Sequence, residues 1–255
     1  MLKASSSTFF DRDEARVKDL GKYSALGYGR GLMKPPFSEI AERYNLINDC
    51  MSLGLHRRWK RGLVEALTSH GLKPDGKILD VASGTGDVAS LFLTKIPASN
   101  IFAIDPCKEM MNEGKKKYPR LTQWYEGEAE ALPFPENYFS ILTCTFGIRN
   151  FKDRKLAFQE FSRTLVSGGK LGILEIHPIP QKWQFIPFQL FWKYGVPFWG
   201  RLFSRGRAYH YLRDTAAQFI SPEVMIEELQ PYFDVQQKKA LIAGGLVTLL
   251  IANKR

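Results

Sequence analysis

Five strand-like runs, separated by turns and helix-patterned segments, occupy residues 77–176. They read "KILDVA" (77–82), "IFAIDP" (101–106), "TQWYEGE" (122–128), "YFSILTCTF" (138–146) and "KLGILEI" (170–176). Between them lie helix-patterned segments such as "DVASLFLTKI", "KEMMNEGKKKY" and "RKLAFQEFSRTLVSGG", the last with a Gly-Gly stop. Strand–helix alternation at this spacing predicts a parallel, doubly wound α/β sheet.

The flanks differ from this centre. Residues 1–37 are polar and dotted with glycine, and read as a mobile N-terminal arm. From Ser38 the pattern is helical: Ile40, Tyr44, Ile47 and Met51 share one face. A second amphipathic helix runs from about Trp59 to Thr68. Together these predict a helical cover over 38–71 on a main domain of 38–255. After Pro178 the rhythm breaks. Eight of the seventeen residues from Trp183 to Trp199 are aromatic and only Lys193 is charged; Arg201, Arg205, Arg207, His210 and Arg213 follow. This predicts an aromatic and basic cap over 178–213. "SPEVMIEELQPYF" reads as a helix with Ser221 as N-cap and Pro222 first inside. "DVQQKKAL" and "LVTLLIAN" then predict an antiparallel hairpin at one sheet edge.

Lys and Arg number 36 against 26 Asp and Glu, a net charge of +10. Such a balance favours anionic partners. Nucleic acid is not among those expected, because no Asp/Asn-Pro-Pro-aromatic motif of base amino methylation follows the fourth strand; "KPPF" at 34–37 lies before the glycine turn. Cys50, Cys107 and Cys144 are far apart, show no metal spacing and read as reduced thiols. No apolar stretch is long enough for a transmembrane helix. "MLKASSSTFF" makes a poor signal peptide and a weak organelle-targeting segment.

The chemistry concentrates at the predicted strand ends. "LDVASGTGD" (79–87) is a strand–Gly-x-Gly–helix turn, in which glycines let a ligand approach the backbone and a helix start offers free N–H groups. A dinucleotide and S-adenosylmethionine compete for it. Asp80 and Asp87 beside Gly84 and Gly86 would repel a pyrophosphate and suit a sulfonium and an ammonium. Asp105, 19 residues after Gly86, ends the second run and is placed for ribose hydroxyls. Glu128 and Ala129, after the third, are placed for adenine. Arg149 and Asn150 end the fourth, where α/β sheets bind ligands.

In order, "YNLINDCMSLGLHRRWKR", "LDVASGTGD", "AEALPFPENYFSILTCTFGIRNFKD", "TLVSGGKLGILEI" and "YHYL" resemble the ubiquinone/menaquinone biosynthesis C-methyltransferase family, from about Phe37 to the C-terminus. The resemblance implies the class I S-adenosylmethionine-dependent methyltransferase fold, with a seven-stranded, mostly parallel sheet. It also implies C-methylation of a polyprenylated quinol and cofactor contacts at Thr85, Asp105, Glu128, Ala129 and Thr145. A catalytic trio of Tyr44, Arg149 and Asn150 is implied in the same way. The family usually reads Glu-Phe-Ser where this chain has Glu175-Ile176-His177. His56, among Arg57, Arg58 and Lys60, reads as part of a basic surface. The expected partners are the quinol, an anionic membrane surface met peripherally by the cap, and a second copy of the chain. The expected location is cytoplasmic, at the inner face of a bacterial membrane, with an organelle as the alternative. Two other readings are a methyltransferase for other small molecules, and a non-catalytic subunit of a quinone-synthesis complex.

Overall fold

The computed structural model describes residues 37–69, 72, 75–178, 186, 190, 207–242 and 245–255. The proposed arm (1–37) lies outside the described residues apart from Phe37. So do the aromatic segment 183–199, apart from Ile186 and Leu190, and Arg201 and Arg205 of the basic run after it.

Seven strands form one sheet: β1 (Ile78–Val81), β2 (Ile101–Asp105), β3 (Gln123–Glu126), β4 (Phe139–Thr145), β5 (Leu165–Ile176), β6 (Phe233–Ile242) and β7 (Val247–Lys254). Their order is β3-β2-β1-β4-β5-β7-β6. β1 to β5 run parallel, and β7 inserts antiparallel between β5 and β6. The expected edge hairpin is present. The strand order reverses at β1, whose neighbours are β2 and β4, and ligands bind at such a switch point.

The central strands are apolar throughout because both faces are covered. Ile78, Ile101, Ala103, Ile141 and Leu174 face α3 (Leu55–Thr68) and α4 (Asp87–Leu91), packing on Leu63, Leu67, Val88 and Phe92. Leu79, Val81, Ile104, Leu142 and Ile173 face the other way, onto Phe158 and Phe161 of α6 (Arg154–Thr164) and Met225 and Leu229 of α8 (Pro222–Leu229). The period of two along each strand sorts these residues. At Gly172 the first layer is tight: a Cβ there would lie 2.6 Å from Leu67 Cδ1.

The remaining helices are α1 (Phe37–Ile40), α2 (Tyr44–Ser52), α5 (Lys108–Lys117) and α7 (Arg207–Gln218). Ser221 caps α8 as expected, its hydroxyl accepting from Val224 N, with Pro222 first in the helix. Two boundaries differ from the sequence reading. α3 begins at Leu55, four residues before Trp59. The Gly-Gly pair does not stop a helix. α6 ends at Thr164, and Leu165 already pairs with Phe139 as strand. The register then slips between Phe139 and Ile141, with Gly168 (φ 70) in the extra loop on β5. Leu165 is fully buried against the core, so tertiary packing outweighs the helical pattern there.

Candidate active site

The turn after β1 is built from left-handed residues. Ala82, Gly84 and Gly86 have φ of 53°, 56° and 74°. Only glycine takes this region without cost, so Ala82 carries strain. Gly86 is needed twice, since a Cβ there would also sit 2.5 Å from Trp124 Cη2.

Asp105 reaches this turn from β2. Its Oδ2 accepts from Gly84 N at 2.8 Å and its Oδ1 from Cys107 N at 2.8 Å. Burial pushes its pKa up to about 6 against those two bonds. Ser83 N donates to Ile104 O at 3.1 Å, while Ser83 Oγ is buried and has no partner among the described residues.

The two carboxylates expected to set the turn's charge play other parts. Asp80 is 1% exposed and lies under the start of α4. Its Oδ2 accepts from Ala89 N at 3.2 Å and its Oδ1 from Thr143 Oγ1 at 2.6 Å, tying β1 to α4 and β4. Burial raises its pKa to about 7. Asp87 is neutralised by Lys60 Nζ at 3.1 Å and Lys117 Nζ at 2.8 Å, with Tyr118 Oη at 3.0 Å. Burial opposes its ionisation, but the lysines outweigh burial and hold it below the usual carboxylate range. The expected excess of negative charge at the turn is therefore corrected: one acid is sealed in and the other is paired.

Thr85 is 3% exposed, and its hydroxyl points to Asp87 Oδ1 at 3.4 Å. After β3, Gly127 N donates to Asp105 O at 3.3 Å, bringing Glu128 and Ala129 beside the β2 end. Ala129 is buried; Glu128 pairs with Lys152 at 2.5 Å. After β4, Phe146 has φ 58 and its N–H donates to Leu174 O at 2.7 Å, turning the chain just past Thr145. Gly147 then passes the β1 turn so closely that a Cβ would lie 2.5 Å from Ala82 Cβ. The strand ends thus gather Gly84, Thr85, Gly86, Asp105, Ala129, Thr145 and Gly147.

Arg149 is not a surface cation. Its side chain is 4% exposed, and Nη1 bonds Glu175 Oε1 at 2.8 Å and Phe146 O at 2.5 Å. Its Nε is buried without a partner among the described residues. Asn150 Oδ1 accepts from Tyr211 Oη on α7 at 2.9 Å. Tyr211 packs edge-on against Phe37 at 5.9 Å, and Phe37 against Tyr44 at 6.4 Å. A chain of contacts therefore joins Asn150 to Tyr44. Glu175 and Tyr211 were not singled out from the sequence. The available signal for Glu175 was a lone acid inside "LGILEI", which needs a buried cation.

His56 does not join a basic surface. It is 3% exposed, on the inner face of α3, and Nε2 meets Asp49 Oδ1 at 2.9 Å. Lys60 is 6% exposed, held inward by Asp87. His177 is 1% exposed, with Nδ1 on Ile220 O at 2.9 Å, and burial lowers its pKa.

The pattern of the ubiE/COQ5 methyltransferase family matches residues 30–250. A demethylmenaquinone methyltransferase of Thermotoga maritima is 36% identical over 197 residues, covering 76% of this chain and 84% of that protein. A mitochondrial 2-methoxy-6-polyprenyl-1,4-benzoquinol methylase of Leishmania donovani is 33% identical over 224 residues, covering 80% and 77%. Among solved structures, a SAM-dependent methyltransferase of Thermotoga maritima superposes with a TM-score of 0.57 at 18% identity, over 86% of this chain and 98% of the other.

Proposed function

Because the chain belongs to the ubiE/COQ5 methyltransferase family, and so is an S-adenosylmethionine-dependent methyltransferase, we propose that it methylates a ring carbon of a polyprenyl quinol in menaquinone or ubiquinone biosynthesis. The observation that carries this reading is the group of donors past β4. Arg149 Nε is buried with no partner among the described residues, and the neighbouring Asn150 amide bonds Tyr211, whose ring packs on Phe37 and through it on Tyr44. Polar groups of this kind, walled by aromatic rings, suit a planar phenol.

The residues at the β1 and β2 ends fit the cofactor. Ser83 Oγ is a buried polar atom with no partner among the described residues, and each Asp105 oxygen accepts one N–H, leaving a lone pair. Asp105 would hold the ribose hydroxyls. Gly84, Thr85 and Gly86 would let the backbone meet the amino-acid portion. Glu128 and Ala129 would meet the adenine, and Thr145 would line the β4 side. Asp80 serves from below, by fixing the turn. When bound, S-adenosylmethionine supplies an electrophilic methyl group on a sulfonium sulfur.

The protein's own task is the acceptor. A quinol carbon becomes nucleophilic when the neighbouring hydroxyl loses its proton. Arg149 Nε–H would donate to the phenolate oxygen that results, in a buried place where such a bond is strong. Asn150 Oδ1 is committed to Tyr211, so its Nδ2 is the atom to orient the quinol oxygen or a water that takes the proton. Tyr44 would close the ring's far side. The ring carbon afterwards releases its hydrogen as a proton, restoring aromaticity.

No described helix is long and apolar enough to cross a membrane. A prenylated substrate resides in a bilayer, and its collection by peripheral contact is supported by the net charge of +10, which favours an anionic surface. Association with the inner face of a bacterial membrane, a homodimer and the cap over 178–213 belong to the same proposal. The deciding experiment is methyl transfer to demethylated naphthoquinol and benzoquinol acceptors, with short phenols as controls. Transfer to neither quinol would defeat the substrate reading, and preference for short phenols would favour another small-molecule acceptor.

A further inference from the structure

The turn between α2 and α3 exposes apolar side chains at a position where the backbone resists them. Leu53 is 77% exposed with φ 49, and Gly54 follows at φ 75. A leucine in the left-handed region is strained, and on the surface it buries nothing in return. Glycine would remove both costs. Leu46 is 48% exposed on α2, seven residues earlier. Leu55 is 39% exposed at the start of α3. The three leucines form an apolar knuckle.

The knuckle is held rigidly. Asp49 O accepts from Leu53 N and from Gly54 N at 2.9 Å. The Asp49 carboxylate is gripped by Arg57 through Nε and Nη2, both at 2.7 Å, and by His56 Nε2 at 2.9 Å. The Arg57 fork, opposed by burial, lowers the Asp49 pKa to about 2. Ser52 Oγ donates to Asn48 O at 2.7 Å and accepts from His56 N at 3.2 Å. Leu53 is therefore not exposed through looseness; the turn presents it.

Cations follow it on α3. Arg57, Arg58 and Arg61 are exposed on α3, and neither Arg58 nor Arg61 has a carboxylate partner among the described residues. Leucines at a tip with arginines one or two turns behind match a bilayer surface, with apolar side chains at the acyl boundary and guanidinium groups at phosphate depth.

We infer that the α2–α3 turn inserts into an anionic lipid bilayer, with Leu53 as the leading side chain and Leu46, Leu55, Arg58 and Arg61 around it. This deepens the quinol reading by naming where the enzyme meets its substrate's solvent. It also does not depend on the aromatic segment 183–199, which lies outside the described residues apart from Ile186 and Leu190.

The test is co-sedimentation of the full chain with vesicles of phosphatidylcholine, alone or with phosphatidylglycerol, with no quinol present. Wild type is expected to bind the phosphatidylglycerol vesicles, less so at higher salt. Leu53→Gly should lower partitioning about tenfold, the scale of one buried leucine side chain. Its thermal midpoint should equal or exceed that of wild type, because glycine accepts the turn. Arg58→Gln with Arg61→Gln should flatten the salt dependence. Transfer to a water-soluble, short-tailed quinol should be unchanged by Leu53→Gly, while transfer to quinol in vesicles falls. Equal partitioning of Leu53→Gly and wild type overturns the inference. So does a dimer in ultracentrifugation that Leu53→Gly dissociates, which assigns the knuckle to a second copy. Vesicle binding without quinol methylation would sink the substrate reading and leave this one standing.

Discussion

Arg149 and Glu175 form an ion pair sealed inside the protein, Nη1 to Oε1 at 2.8 Å, with side chains 4% and 0% exposed. The pair joins the loop after β4 to the carboxyl end of β5, and Arg149 N adds a weaker bond to Glu175 Oε2 at 3.4 Å. Replacing one member leaves the other charge buried alone, at a cost of roughly 3–5 kcal/mol. Glu175→Gln is expected to lower the urea midpoint accordingly and to abolish transfer, because the guanidinium loses its anchor. An unchanged midpoint would show that the pair adds nothing to stability.

Tyr211→Phe removes the donor to Asn150 Oδ1 and keeps the ring against Phe37. One neutral hydrogen bond is worth about 1 kcal/mol, so kcat on the quinol should fall roughly three- to tenfold. Binding of S-adenosylmethionine, followed by calorimetry, should not change. A loss of cofactor affinity would place Tyr211 elsewhere in the mechanism.

Asp105→Asn sets an amide where two backbone N–H groups need acceptors. Either Gly84 N or Cys107 N would then face an NH2 group. The expected cost is about 1–3 kcal/mol of stability and at least a tenfold loss of cofactor affinity. Wild-type affinity in this variant would remove Asp105 from the cofactor site.

Asp80→Asn can keep both partners, accepting from Ala89 N and donating to Thr143 Oγ1, since a hydroxyl serves either way. What it loses is a titration. Burial raises the folded-state pKa of Asp80 to about 7, above the unfolded value of about 3.9. The folded protein therefore holds the proton more tightly between those values. Its contribution to stability is complete below the unfolded pKa and is lost as pH rises through about 7. In unfolding free energies from urea titrations between pH 4 and pH 7, wild type should decline relative to Asp80→Asn, by on the order of 1 kcal/mol per pH unit. Parallel curves would mean that Asp80 does not titrate in that range.

Gly86→Ala meets both a left-handed φ of 74° and the Trp124 ring 2.5 Å from the new Cβ. We expect a loss of about 2–4 kcal/mol, strain and overpacking together, and a shifted Trp124 fluorescence signal. A loss of only about 1 kcal/mol, the scale of strain alone, would mean that Trp124 can step aside.

Much of the fold was legible because parallel strands buried on both faces must be short apolar runs, and "KILDVA", "IFAIDP" and "YFSILTCTF" are that. The cofactor turn was legible because a left-handed backbone leaves its mark as glycine. The Gly-Gly pair after α6 was misread because local pattern cannot show that Leu165 is claimed by Phe139 across the sheet. The charges were the least legible. Whether Asp87, His56 or Lys60 faces water depends on partners 7 to 30 residues away. Tyr211, 61 residues from Asn150, reaches it only through the fold.

The near-contact of Ala82 with Gly147 has a consequence for how this sequence can change. One belongs to the turn beside Asp105 and the other to the loop carrying Arg149 and Asn150. With 2.5 Å between Ala82 Cβ and any Cβ at 147, a larger side chain at either position displaces both segments. Mutations at the two sites cannot be independent. A lineage that retunes the acceptor loop inherits a constraint at the cofactor turn, and the two are expected to drift only as a coupled pair.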